Sequence, residues 1–206
     1  MVALRSAGSV LTPGFPDPVH GAQGVFRAAM EALSRPGTLR PLPADILPPA
    51  PPAPLTVELA GLALALADPV TPLWLDAPLA AVPAVAAWLR FHTGAPVVDE
   101  PARATFALIA DPVRCPPFGV FAQGEPAYPD RSATLLVALD RLDDRDGPTL
   151  RGPGIRDTAR LPGRPLPADW AARLAANRAG FPLGIDLILT APGRVAGLPR
   201  SVEVET

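Results

Sequence analysis

The sequence predicts an α/β protein built on a mixed, mostly central β-sheet flanked by helices, and three features carry that prediction. Helical and strand patterns alternate along most of the 206 residues, as layered α/β folds require. The stretch Phe181-Pro182-Leu183-Gly184-Ile185-Asp186-Leu187-Ile188-Leu189-Thr190 reads as the clearest strand, a β-rich apolar run. Period two sets Leu183, Ile185, Leu187 and Leu189 on one face and Gly184, Asp186, Ile188 and Thr190 on the other. Both faces are largely apolar, so the strand is expected inside the sheet with cover on both sides. The turn Ala191-Pro192-Gly193-Arg194 then leads into a strand around Val195–Leu198. Strands joined this tightly run antiparallel, which makes the sheet mixed.

Each element follows from local chemistry. Residues 1–16 are small and interrupted by Pro and Gly, and read as an irregular arm. Asp17-Pro18 is an N-cap with proline at the first helical position. The helix after it carries Val19, Ala22, Phe26, Ala29, Met30 and Leu33 as its expected inner face, and Ser34-Arg35-Pro36-Gly37 ends it. The proline-dense segment 41–54 is expected to run extended over the surface as a connector. Thr56 caps a second helix, Val57 to Ala67, closed by Asp68-Pro69. Thr71 to Leu75 is a short strand. Pro83 to Phe91 is a third helix with Val85, Trp88 and Leu89 inward, Arg90 and His92 in its last turn, and Gly94 at its C-cap.

Strands are expected at Thr105–Ala110 and Ser132–Leu139, separated by the Pro- and Gly-rich segment from Asp111 to Asp130. The charged stretch Asp140 to Asp146 is read as a solvated loop. Leu150 to Ile155 is a strand end broken by a glycine turn. Leu166-Pro167-Ala168-Asp169 leads into a fourth helix through Arg178, and Ser201 to Thr206 can add a last short strand. The length fits one domain, residues 1–206, able to bury a substantial core. No internal repeat is present.

Composition excludes several functions. The chain is 49% hydrophobic and 18% charged, with a mean hydropathy of +0.24; this predicts surface covered in an oligomer or complex. A net charge of −2 with no basic tail gives nucleic-acid binding no electrostatic support. The longest apolar run, Leu59 to Ala67, is about half of what a bilayer span needs. Pro13 and Pro16 break any signal-peptide core, so a cytoplasmic location is expected. The single cysteine, Cys115, rules out a disulfide framework or a cysteine-held cluster within the chain. Two histidines are too few for a histidine-dominated metal site, and no metal is expected. All 18 basic residues are arginines, so no lysine Schiff base can form here.

Candidate chemistry gathers at marked loops. Histidine is the side chain whose charge changes near neutrality, so His92 suits an acid, a base or an anion donor; with Arg90 and Thr93 it puts three polar heads at one helix end. The competing reading is that Arg90 and His92 complement the helix dipole. Gly152-Pro153-Gly154, between Arg151 and Arg156, either presents N–H groups to a phosphate or is a plain turn. No nucleotide fingerprint accompanies it. Ser34-Arg35-Pro36-Gly37 and Leu198-Pro199-Arg200-Ser201 pair arginines with hydroxyls, as phosphate sites and turn caps both do. Asp186 is the odd residue of its strand: a carboxylate there is costly unless paired, so it is either a site member or an anchor held by a loop arginine. Cys115 is read as incidental.

Beyond these physical readings, a set of blocks resembles the PhnH family, the H subunits of the bacterial carbon–phosphorus lyase complex. The blocks are Phe26-Arg27 with Leu33-Ser34-Arg35-Pro36-Gly37, Leu66-Ala67-Asp68 with Thr71-Pro72-Leu73-Trp74-Leu75, Leu89-Arg90-Phe91-His92-Thr93, Ala104-Thr105-Phe106-Ala107, Leu150 through Ile155, Phe181 through Thr190, and Leu198-Pro199-Arg200-Ser201. The resemblance runs from about residue 15 to the end. It implies phosphonate catabolism, in a core complex of G, H, I and J subunits. The G, H and I subunits act with L to replace the adenine of ATP by an alkylphosphonate such as methylphosphonate at the ribose carbon, and J later cleaves the carbon–phosphorus bond with an iron–sulfur cluster. It further implies a homodimer with a fold similar to the pyridoxal-phosphate-dependent transferases but without their cofactor, which agrees with the missing lysine.

The family positions map onto Arg35, Arg90, His92, Gly152, Gly154, Asp186 and Arg200, each open to a role in binding, folding or docking; with Thr93 they are the ligand-binding candidates, and His92 is the candidate for catalysis. The segment 41–54 and the region around Cys115 look particular to this chain. The leading expectation is a homodimeric subunit without a cofactor, lending a ligand-facing or docking surface to catalytic partners. The alternatives are a stand-alone phosphonate- or nucleotide-binding enzyme using His92 as acid or base, and a scaffold subunit with no ligand.

Overall fold

The computed structural model describes residues 11–143, 147–160 and 163–205. Its centre is a seven-stranded sheet in the order Arg40–Pro41, Arg194–Leu198, Asp186–Ala191, Thr134–Ala138, Phe106–Ile109, Leu73–Leu75, Val97–Val98. The last five of these run parallel. Arg194–Leu198 is antiparallel to Asp186–Ala191, and Arg40–Pro41 is antiparallel to Arg194–Leu198. The sheet is therefore mixed, as the short turn at Pro192-Gly193 requires.

Period-two alternation divides the core between the two faces. Leu108, Leu136, Ile188 and Val195 pack with helices α1 (Pro18–Ser34), α2 (Val57–Leu66) and α4 (Pro83–Thr93). Ile109, Leu135, Val137, Leu187 and Leu189 pack on the opposite side, with Phe118, Phe121, and Trp170 and Leu174 of α5 (Trp170–Ala179). α3 (Ala77–Ala80) is a single turn that the apolar pattern did not announce.

Several expectations need correction. The strand read over Phe181–Thr190 begins only at Asp186 and extends to Ala191. Phe181 and Leu183 instead continue the end of α5, donating to the Arg178 and Gly180 carbonyls, and Gly184 turns the chain with φ +123. The inner face of α1 is also different. Gly21, Val25, Ala28, Ala29 and Ala32 are buried, whereas Val19, Phe26 and Met30 are exposed, at 60%, 48% and 38%. Close approach decides it: a Cβ added to Gly197 would sit 2.6 Å from the backbone of Ala32 and Leu33, so only the small-residue face fits against the sheet. Finally, the segments read as loops contain pairing. Gln123–Glu125 and Tyr128–Ser132 form a hairpin, and Arg141–Leu142 pairs with Gly163–Arg164. Residues 144–146 of the charged stretch and 1–10 of the arm lie outside the described residues.

Elsewhere the local signals hold. Asp17 caps α1, accepting from the Val19 and His20 amides at 2.9 and 3.0 Å. Thr56 caps α2. Gly94 closes α4 in the left-handed region, at φ +72. Within the proline-dense segment, Pro41 pairs at the sheet edge with Arg194, where a missing N–H is tolerated. The segment does not, however, run extended over the surface throughout: Ala44–Ile46 forms a 3-10 turn, and Leu42 and Leu47 turn into the core, because their apolar side chains gain more from burial than a surface course allows. Glu203–Glu205 adds to Thr149–Arg151 in a separate three-stranded sheet with Ala159–Arg160.

A buried carboxylate fastens the carboxyl ends of two parallel strands. Asp76 is 5% exposed; one oxygen accepts the Leu79 amide at the start of α3, and the other accepts the Ala110 and Asp111 amides at 2.7 and 2.8 Å. Burial holds its carboxyl above the ordinary value of 3.8, against the pull of those amides. The folded state therefore keeps a proton that the unfolded chain has released, so the contribution of Asp76 to stability falls as pH rises from 3.8 through its folded pKa. Urea melts across that interval should show this slope in the wild type and lose it in Asp76→Ala. At neutral pH the same substitution should cost about 1–3 kcal/mol by leaving buried amides unpaired.

Candidate functional site

The motif loops lie at the end of the sheet where the parallel strands start. Asp186, Thr134, Phe106, Leu73 and Val97 are in register along it. The antiparallel strand Arg194–Leu198 finishes at this same end, delivering Pro199-Arg200-Ser201 beside Asp186. Gly37 leads into Arg40–Pro41 there, and Gly152-Pro153-Gly154 fills the space between. A Cβ at Gly154, φ +83, would run into the Ser34 carbonyl, and one at Gly152, φ +136, would meet the Ser201 carbonyl at 3.0 Å. Glycine is demanded twice over here, by backbone angle and by contact. The Ser34–Gly37, Gly152–Gly154 and Arg200 segments thus form one cluster with Asp186.

Asp186 and Arg200 hold that cluster together. One Asp186 oxygen accepts from the Arg200 amide at 2.8 Å and from its Nε at 3.1 Å, and the other accepts from Nη2. Nη2 also donates to the Ser132 hydroxyl, and Nη1 donates to the Pro129 carbonyl at 2.7 Å. Four guanidinium hydrogens out of five are committed to the chain. The Asp186 carboxylate is the paired anchor that its strand position called for, and both of its oxygens are engaged. A cleft of about 350 Å³ opens beside this pair, walled by Pro129, Phe181, Pro182 and Pro199. Phe181 is half exposed, with the Arg178 guanidinium 5.0 Å from its ring centre. Arg35 is exposed and makes no side-chain bond among the described residues.

The other candidates stand apart. Arg90, His92 and Thr93 end α4 just before the Val97–Val98 strand, four strand spacings from Asp186, or about 19 Å. His92 donates through Nε2 to the Thr12 carbonyl at 3.0 Å, which fixes the proton on that nitrogen. Trp88 donates to the same carbonyl at 2.8 Å and lies 4.5 Å from the His92 ring centre. His92 therefore pins the N-terminal arm onto α4. Thr93 caps the helix end, donating to the Leu89 carbonyl and accepting the Ala95 amide. Arg90 is exposed.

Several structural side chains escaped the sequence reading. Asn177 bonds both the amide and the carbonyl of Ile185 at 2.8 and 2.9 Å, standing in for a neighbouring strand. Arg173 reaches the Cys115 and Pro116 carbonyls. Asp76 did carry a signal, an Asp one residue before Ala-Pro like the cap at Asp17. Nothing local marks Asn177 or Arg173. No group of three or more His, Cys, Asp or Glu residues is placed to hold a metal ion among the described residues. No helix there is long and apolar enough to cross a membrane.

Comparison with known proteins agrees along the whole chain. The model of the family described as "Bacterial phosphonate metabolism protein (PhnH)" matches residues 13–205. The alpha-D-ribose 1-methylphosphonate 5-triphosphate synthase subunit PhnH of Rhizobium meliloti (strain 1021) is 39% identical over 202 residues, 98% of this chain and 99% of that protein. A putative C-P lyase subunit protein, HtxG of Stutzerimonas stutzeri, is 36% identical over 78 residues, 37% of this chain and 39% of that protein.

Removing one partner of the Asp186–Arg200 pair strands the other, with the Arg200 side chain only 13% exposed. Arg200→Ala or Asp186→Ala should therefore lose about 3–5 kcal/mol in urea unfolding, and the double variant should lose much less than the sum. Additive losses would show that the pair is not coupled. Cys115, 4% exposed, has its thiol pushed up to about 12 by burial. Ellman's reagent at pH 8 should leave it unmodified in the native protein and react with it after denaturation.

Proposed function

The chain belongs to the family of the bacterial phosphonate metabolism protein PhnH, and we propose that it serves as the PhnH component of a carbon–phosphorus lyase core complex in the cytoplasm. In this reading it works with the G, I and L subunits, alongside J, in the step that transfers the ribose 5-triphosphate moiety of ATP to an alkylphosphonate such as methylphosphonate and releases adenine. The chain itself supplies a ligand-facing or docking surface, and it needs no pyridoxal phosphate. Its fold is read as related to the pyridoxal-phosphate-dependent transferases, without the lysine that forms their Schiff base.

The observation that carries this reading is the occupation of Asp186 and Arg200, the joined pair of the motif cluster. Arg200 and Asp186 spend their bonding capacity on each other and on Ser132 and Pro129. Thr93 spends its hydroxyl on the helix end, and His92 commits Nε2 to the arm, its Nδ1 having no bond among the described residues. Arg200, Asp186 and Thr93, so engaged, shape a surface, and a general acid or base must instead reach the proton it moves. The 39% identity over nearly the full length of a synthase subunit supports the assignment to a complex. Val19, Phe26 and Met30, turned outward on α1, supply apolar surface suited to a homodimer or to partner subunits.

Co-expression of the chain with its G, I and J partners should give one co-purifying assembly, while the chain alone should elute at twice 21.4 kDa. A chain that remains separate from all three partners would sink the complex reading, and a 21.4 kDa species would sink the homodimer. In the assembly supplemented with L, His92→Ala should still support adenine release from ATP and methylphosphonate. Loss of that release from an intact assembly would restore His92 as a catalytic residue.

A further inference from the structure

A second cavity, away from the motif cluster, lies between α1 and the edge strand Arg40–Pro41. It measures about 380 Å³, and its lining includes Arg27, Glu31, Arg40, Pro43 and Ile46. Arg40 is its unusual member. The side chain is 23% exposed, and its one ion-pair partner among the described residues is Glu31, with Nε 3.7 Å from the carboxylate. That separation is an ion pair but too long for a hydrogen bond. The buried Nε has no acceptor, so this guanidinium contrasts sharply with that of Arg200. Its backbone is held by pairing with Val195, which fixes where the fork begins. Arg27 lines the same cavity from the helix, one turn before Glu31, and makes no bond or ion pair among the described residues.

We propose that this cavity binds a small organic phosphate or phosphonate, its –PO3 oxygens gripped by Arg40 and Arg27. Two guanidiniums on separate elements against one carboxylate leave the lining positive by one charge, and guanidinium forks match phosphoryl oxygens in pairs. A carboxylate ligand would need one fork; a tetrahedral group uses both. The volume lies within the range of small-molecule sites, and the wall of Pro41, Pro43 and Ile46 accommodates an organic portion. Glu31 holds Arg40 in the free protein and competes with the incoming anion for it. The site is independent of the complex assignment, since it rests on residues outside the motif cluster.

Calorimetric titration of the full chain with inorganic phosphate, methylphosphonate, ATP and acetate tests it. Saturable heat is expected with at least one of the three phosphorus compounds and not with acetate. Binding of ATP alone would identify a nucleotide as the source of the group, and binding of methylphosphonate would identify a free phosphonate. Arg40→Ala and Arg27→Ala should each weaken binding at least about tenfold, whereas Arg103→Ala, which removes an exposed arginine elsewhere, should leave it unchanged. Glu31→Gln should tighten binding by freeing Arg40, an effect that charge loss at a structural ion pair would not produce. No heat with any phosphorus compound, equal heat with acetate, indifference to Arg27→Ala, or weaker binding in Glu31→Gln would each overturn the proposal. If Arg40→Ala fails to fold, the Arg27 and Glu31 variants decide. Binding by a chain that does not co-purify with partner subunits would uphold the site and sink the complex, and the converse result would do the reverse.

Discussion

One guanidinium organises the amino-terminal end of the sheet. Arg200 ties the start of the strand Asp186–Ala191 to the hairpin strand Tyr128–Ser132 and, through its own backbone, to the exit of Arg194–Leu198. A carboxylate at the head of an apolar strand is unfavourable when isolated. Here its oxygens meet one amide and two guanidinium nitrogens, so the charge becomes a fastening. The glycines of the 152–154 turn then allow three segments distant in sequence to stack within contact of that fastening. The block pattern shared with the family is, at this end of the molecule, mostly the pattern of a joint.

The opposite end of the sheet has its own fastening in Asp76, which captures amides from two chain segments at the carboxyl ends of the strands. Between the two ends, small residues set the distances. α1 presents its alanines and glycine inward because Gly197 brings the strand against the helix backbone. Its larger side chains are displaced outward as a consequence. Packing within the chain thus generates the apolar outer surface, and the composition bias toward hydrophobic residues finds part of its explanation there.

Function follows from which polar groups remain uncommitted. Of the side chains that look most chemical in the sequence, Asp186, Arg200 and Thr93 are bonded within the chain, while Arg27 on α1 and Arg40 on the edge strand keep donors to offer. A residue type and its neighbours tell what a side chain can bond to. They do not tell what has already been bonded.

The sequence by itself determined the mixed α/β class, the caps at Asp17, Thr56 and Gly94, the inward residues Val85, Trp88 and Leu89, the alternation around Leu187 and Leu189, and the family. These are properties of adjacent residues, carried by backbone preference and short-range periodicity. Only the tertiary structure decided the inner face of α1, where two apolar stripes compete and the distance to Gly197 chooses the smaller one. It also decided the late start of the strand at Asp186, where Asn177 takes the bonds of Ile185 that a strand partner would otherwise hold. The separation of His92 from Asp186 and the partnership of Asp186 with Arg200 belong to it as well. Each of these depends on residues that meet across the fold, and strand order, which no local pattern encodes, fixes who meets whom.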